Sequence, residues 1–197
     1  MNGITPDTAL WYASRAAGVV ALLMLSLVII LGVLTNRQGR LPGLPRFAVV
    51  GLHRNVALLT VAFITLHVLS AVFDGYVDIG LIAILVPFIS RYETFWLGLG
   101  AVAADLLLAV VVTSLLRTRL GPRAWRATHW LSYAVYPIAV IHGLGAAHDL
   151  HSGGLLALTV TCALIVLVAV GWRWVRARAE LPRWRRVDAL THRGSVR

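Results

Sequence analysis

Five stretches of this chain, at about 10–34, 48–73, 94–116, 127–147 and 154–176, run for more than twenty residues with almost no charge. A helix needs roughly 20 residues to cross a hydrocarbon core about 30 Å thick, so each stretch is long enough to span a bilayer. Only 13% of the 197 residues are charged, where a soluble domain carries about 25%. The runs are continuously apolar, which selects helices; barrel strands would be shorter and would alternate. The expected fold is an all-α membrane protein of five transmembrane helices.

The charges that remain sit between the runs. The formal net charge is +10 and every one of the 18 basic residues is arginine. Segment 35–47 holds Arg37, Arg40 and Arg46, and 117–126 holds Arg117, Arg119, Arg123 and Arg126, neither with an acid. The alternate connections are poor in arginine: 74–93 sets Asp74, Asp78 and Glu93 against Arg91, and 148–153 has only Asp149. This pattern predicts an outside N-terminus and a cytoplasmic C-terminus. An odd number of spans requires the same separation of the ends. It also argues against nucleic acid as the partner of the positive charge. Residues 177–197 form an Arg-rich cytoplasmic tail, with Trp172, Trp174 and Trp184 reading as an inner-leaflet anchor. The N-terminus lacks the basic region of a cleavable signal. Cys162 is the single cysteine, so an internal disulfide is excluded. The run 77–89, "VDIGLIAILVPFI", is too short to cross and predicts a short helix at the outer surface.

Against this apolar background, "LHRNVALLTVAFITLHVLSAV" carries His53 and His67, fourteen residues apart, and "THWLSYAVYPIAVIHGLG" carries His129 and His142, thirteen apart. Ionisable groups inside spans are costly and usually have a task. Spans 2 and 4 run in the same direction, so the second histidine of each lies about 20 Å beyond the first, at matched depths. His53 is expected to face His129 on the inner level, and His67 to face His142 on the outer one. Opposed imidazoles with room between them suit the two axial positions of a haem iron, and two levels suit two haems. Azimuth is less favourable in span 4, where a spacing of 13 leaves the two rings about 140° apart on a straight helix. Pro137 is the expected site of a compensating kink. A haem-free metal or proton transporter could use the same histidines, although Asp105 is the one acid well inside a span.

The spacing His53-x13-His67 with His129-x12-His142, and the strings "WRATHWLSYAVYP" and "HGLG", resemble the ferric reductase-like transmembrane domain family. "LWYASRAAGVVAL" and "LVPFISRYETFWLGLG" are similar to small actinobacterial members. The resemblance covers residues 10 to about 176, and residues 1–176 are expected to form one haem b transmembrane domain, a four-helix haem-binding core plus one extra helix. It implies two b haems, the inner on His53 and His129 and the outer on His67 and His142, in a bacterial plasma membrane. It implies transmembrane electron transfer, as an oxidoreductase or an electron-transfer subunit of one. No G-x-G-x-x-G follows a strand, so a separate reductase or membrane quinol is the expected donor, with a separate acceptor outside. An alternative is a quinol-oxidising subunit feeding an extracytoplasmic flavoprotein or reductase, as in the methionine sulfoxide reductase system, with quinone as a further cofactor.

Haem propionates need cationic or backbone donors. Arg54 and Arg126 are placed for the inner haem and Arg15 and Arg91 for the outer, against the alternative that span-end arginines snorkel to headgroups. Asp105 is expected to pair with an arginine or relay a proton, against the alternative of a hydrogen-bonded structural acid. Gly98, Gly100, Ala101 and Ala104 read as helix-packing residues. His148, Asp149 and His151 form either an outer metal-binding cluster or a solvated loop.

Overall fold

The structure, a computed structural model, describes residues 6–35, 45–74, 79–146 and 153–194, with side chains throughout these except at 6–8, 177 and 179–194. His148, Asp149 and His151 lie outside the described residues, as does the side chain of Trp184. Among the described residues every regular element is helical: α1 (Pro6–Thr35), α2 (Arg46–Val72), α3 (Thr94–Leu115), α4 (Arg117–His129), α5 (Ser132–Ala146) and α6 (Gly154–Gly194). A single 3-10 turn, Leu81–Ile84, takes the place of the short surface helix expected over 77–89.

Four of these helices are long and apolar enough to cross a membrane: Ala9–Thr35, Arg46–Val72, Thr94–Leu115 and the Gly154–Arg176 part of α6. Their outward faces carry large apolar side chains, such as Leu52, Leu59 and Leu66 on α2 and Leu164, Val168 and Val175 on α6. A chain bathed in water would not leave such continuous apolar surface uncovered, whereas acyl chains cover it without cost. Hydroxyls inside the spans satisfy themselves on the preceding turn. Ser26 donates to Leu22 O, Thr60 to Val56 O and Ser70 to Leu66 O, each at 2.6–2.8 Å. In a medium with no water, that local bond keeps a polar residue tolerable.

The fourth expected span, 127–147, is not one helix. It breaks at Trp130–Leu131, and α5 alone has 15 residues, about 22 Å at the α-helical rise. The break is not at Pro137, which lies inside α5. Instead, Leu131, Tyr133 and Ala134 donate to carbonyls three residues back, Thr128, Trp130 and Leu131. Bonds of that kind wind the chain at three residues per turn, about 20° more per residue than an α-helix. This overwinding, about 20° for each tightened residue, turns the face of His129 toward that of His142 and reduces the azimuth mismatch. At the other end of α4, Gly121 takes φ 74° and Pro122 follows it, a backbone break open to glycine and then a proline at a helix start.

The helices assemble around α1. It packs most extensively on α2 and also touches α5 and α6, while α3 packs on α5 and α4. One core cluster joins α1, α5 and α6 through Leu25, Ile29, Val135, Tyr136 and Val166, and another joins α1 to α2 through Leu31, Val49 and Val56. At mid-height Tyr136 hydrogen-bonds Ser26 at 2.9 Å. Because Ser26 spends its own proton on Leu22 O, the phenol is the donor. Cys162 is buried in α6.

Candidate cofactor site: two opposed histidine pairs

The histidines of α2, α4 and α5 meet in the pairs expected from depth. The rings of His53 and His129 have centroids 6.5 Å apart and planes crossing at 68°. Those of His67 and His142 are 6.2 Å apart, crossing at 72°. Along α2 the two pairs are separated by about 21 Å, fourteen residues at 1.5 Å each.

Three of the rings are fixed by the same local device. His67 Nδ1 donates to Ser14 O at 2.8 Å, His53 Nδ1 to Val28 O at 3.0 Å, and His142 Nδ1 to Trp96 O at 2.8 Å. A carbonyl can only accept, so in each ring the proton is on Nδ1 and the Nε2 lone pair is left for another partner. Each of these carbonyls belongs to a helix and is followed four residues later by glycine: Ser14 by Gly18, Val28 by Gly32, Trp96 by Gly100. The imidazole lies over that glycine. A Cβ at Gly18 would stand 3.0 Å from His67 Nδ1, one at Gly32 3.4 Å from His53 Cε1, and one at Gly100 2.7 Å from His142 Cε1. Without a side chain on the next turn, the ring can approach the carbonyl from the side and share it with the helix. On α1 the device repeats after fourteen residues, the interval that separates His53 from His67 on the antiparallel α2.

Trp96 is itself clamped, because its indole occupies the space that a Cβ on Gly145 would need. His129 is held differently. Trp125, one turn earlier, stacks on it at 5.1 Å and 26°, and Trp125 Nε1 reaches Ser114 Oγ at 3.4 Å.

The arginines divide. Arg15 is half-buried beside Ser14, its guanidinium 4.3 Å above the Trp11 ring, at the level of His67. Arg54, Arg91 and Arg126 are exposed, and Arg126 Nε bonds Pro122 O. Arg173, expected only as part of the basic tail, is half-buried on α6, donates to the Tyr133 hydroxyl and lies 5.5 Å from the centre of the Trp130 ring. It therefore sits against the break that carries His129. Gly98 packs under Phe88, whereas Gly100, expected as a packing residue, packs under a ring of the site itself. Asp105 lines a cleft of about 250 Å³ between α2 and α3, walled by Val61, Thr65, Val68 and Leu108, with no arginine on its walls. Among the described residues no group of three or more His, Cys, Asp or Glu converges as a metal site.

The family model for the ferric reductase like transmembrane component matches residues 17–140. The chain belongs to the ferric reductase-like transmembrane family. No curated protein and no solved structure gives a match to it. The matched stretch takes in Gly18, Gly32, His53, His67, Gly100 and His129 and stops two residues before His142. Membership agrees with a multi-pass membrane protein and suggests transmembrane electron transfer, since ferric reductase-like domains generally bind haem.

The two pairs can be tested for such a group. A metal lies about 2.0–2.1 Å from an imidazole nitrogen, which is itself about 1.1 Å from its ring centre, so two imidazoles on opposite sides of one ion have centroids roughly 6.2–6.4 Å apart. The observed 6.5 and 6.2 Å lie within about 0.1 Å of that range. The donor set fits as well: in three rings the nitrogen that does not face a carbonyl is the one left with a lone pair.

Proposed function

We propose that this chain is a transmembrane electron carrier in which His53 and His129 hold one b-type haem and His67 and His142 a second. In this reading α4 and α5 together make the fourth of five crossings of a bacterial plasma membrane. The N-terminus is outside, and the His53–His129 pair lies nearer the cytoplasm. The observation that supports it most directly is the spacing of the ring centroids, 6.5 and 6.2 Å, in two pairs that α2 makes with α4 and with α5. A haem held by both imidazoles of a pair would supply a one-electron couple there.

The chain's own residues do the rest of the work. Ser14, Val28 and Trp96 hold three rings in one tautomer through their carbonyls, and Gly18, Gly32 and Gly100 give those rings room. Arg15 at one level and Arg173 at the other are the partly buried cations placed to balance acidic substituents of a cofactor; Arg54, Arg91 and Arg126 face outward and serve less directly. The apolar lining of the bundle keeps water away from the path. A donor protein or quinol on one side is oxidised by one electron at a time, and an acceptor on the other is reduced. A quinol donor is the second reading, and the largely apolar cleft that Asp105 and Thr65 line between α2 and α3 is the place it would occupy.

The test is the reduced-minus-oxidised absorption spectrum and haem content of protein purified in mild detergent. Two b haems per chain are expected, falling to one in His53→Leu or His142→Leu. Colourless protein that is folded and monodisperse would instead favour a haem-free metal or proton transporter and remove the electron-carrier function.

A further inference from the structure

Three of the four rings are held by a helix carbonyl that accepts from Nδ1. His129 is not: its Nδ1 is buried and has no hydrogen-bond partner among the described residues. It is also the last residue of α4, directly before the tightened turn at Trp130–Leu131, so its backbone gives less support than mid-helix would. What it has instead is Trp125. Residues four apart on a helix lie one above the other, and here the two rings stack with centroids 5.1 Å apart and planes at 26°. The indole is tied in turn to the neighbouring helix, where Nε1 donates to Ser114 Oγ at 3.4 Å on the last turn of α3. Gly121, with its φ of 74°, lies between those two residues. The bond therefore carries the position of α3 across the backbone break to Trp125, and the stack carries it on to His129.

A hydrogen bond and a stack constrain different things. A bond to Nδ1 fixes the direction of one ring atom. A stack fixes the plane of the ring and leaves its direction within that plane to the side-chain torsions. The crossing angle of a histidine pair depends on the two planes alone. It is 68° for His53–His129 and 72° for His67–His142. The two levels reach nearly the same angle by different means, two carbonyl bonds at one and a carbonyl bond plus an indole at the other. We propose that Trp125 is a positioning residue that sets the plane of the His129 ring, and with it the crossing angle of the His53–His129 pair. The inference rests on the electron-carrier function proposed above. Partners that orient a metal ligand are worth about 10–100-fold in affinity. The flat ring is the part of Trp125 that matters most, since a 3.4 Å bond is long for an N–H donor.

Electron paramagnetic resonance of the oxidised, haem-loaded protein tests this. With two imidazoles on one haem iron, the low-field g value rises as the ring planes approach a right angle and falls as they become parallel, so the signal reads the crossing angle. His142→Leu and His53→Leu, each retaining one intact pair, assign the two signals. Trp125→Leu removes the stack. It is expected to shift and broaden the signal of the His53–His129 level and to weaken haem retention there by about ten-fold, while the other signal stays. Trp125→Phe keeps a ring to stack and is expected to retain both signals. Trp125→Met, which fills more of the space but offers no ring, takes the place of Trp125→Leu should that variant not accumulate. Unmoved signals without the ring, equal displacement in the phenylalanine variant, or displacement of both levels together would overturn the assignment of Trp125, while two bound haems left the electron-carrier function standing. Wild-type protein without haem would overturn both.

Discussion

A Cβ on Gly100 would stand 2.7 Å from Cε1 and 2.9 Å from Nδ1 of His142, the nitrogen that is already committed to Trp96 O at 2.8 Å. Ring and carbonyl cannot both stay where they are if that position gains a methyl. At Gly18 the nearest ring atom would be 3.0 Å away and at Gly32 3.4 Å, so the three glycines are graded. Gly100→Ala is expected to cost about 1–3 kcal/mol, the usual range for overpacking, and to lose haem from the His67–His142 level alone. Gly18→Ala should do the same more weakly. Gly32→Ala meets ordinary van der Waals contact, and the better helix propensity of alanine offsets what strain remains, up to about 1 kcal/mol. Haem content per chain and thermal unfolding in detergent, measured across the three variants, check the order.

The bond between Ser26 and Tyr136 makes an asymmetric prediction. Ser26 donates to Leu22 O and accepts from the phenol. Removing the phenol hydroxyl in Tyr136→Phe leaves the serine with its helix bond intact, so the cost is that of one interhelical bond in a membrane protein, about 0.6 kcal/mol. Ser26→Ala instead strands a buried hydroxyl with nothing to donate to, at about 1–3 kcal/mol. The serine variant should therefore unfold at a clearly lower temperature than the phenylalanine variant. Equal melting temperatures would show that the phenol finds another acceptor.

The spans on α1, α2, α3 and the first part of α6 could be read to within a few residues because hydropathy over twenty positions depends on composition alone. The pairing of the histidines was readable for a related reason: depth along a helix is a count of residues, and the counts on α2 and on the α4–α5 segment nearly agree. Other features depend on how the chain winds and on which helix lies beside which. Pro137 drew attention as the only strong break signal inside 127–147, yet the chain tightens at Trp130–Leu131, where nothing in the composition marks a change of winding. Gly18 and Gly32 look like ordinary small residues in an apolar run until α2 is laid antiparallel against α1. Their spacing of fourteen, equal to that of His53 and His67, was the signal that could have found them. Arg173 was hidden because an arginine at the end of an apolar run is most simply explained by headgroups.

Cytoplasmic and outer connections can be distinguished chemically. Cys162 is buried in α6, and Cys162→Ser gives a background without thiols. Thr118→Cys, exposed among the first arginines of α4, and Tyr92→Cys, exposed before α3, lie beyond opposite ends of α3. With the N-terminus outside, Tyr92→Cys is expected to react with a membrane-impermeant maleimide on intact cells, and Thr118→Cys only after permeabilisation. Labelling of Thr118→Cys on intact cells would invert the orientation and exchange the inner and outer levels.

Arg173 is the arginine most closely tied to a histidine level, and its contacts separate it from the exposed set. Its guanidinium donates to the Tyr133 hydroxyl and lies 5.5–5.6 Å from the ring centres of Trp130 and Tyr133, bracing α6 against the break beyond His129. A cation over an aromatic face contributes about 0.5–1 kcal/mol where exposed and about 2 where desolvated, and a half-buried site falls between. Arg173→Ala is expected to destabilise the protein by about 1–2 kcal/mol and to perturb the absorption and potential of the His53–His129 level while leaving the His67–His142 level unchanged. Arg173→Lys recovers little, because an ammonium cannot lie flat on the rings and donate sideways at once. Arg126→Ala, whose side chain bonds its own helix at Pro122 O, should leave both levels as they are. Low-temperature spectra and redox titrations of the three variants side by side decide the matter, since a change common to Arg126→Ala and Arg173→Ala would reflect surface charge, whereas one confined to Arg173 would reflect its place against Tyr133 and Trp130.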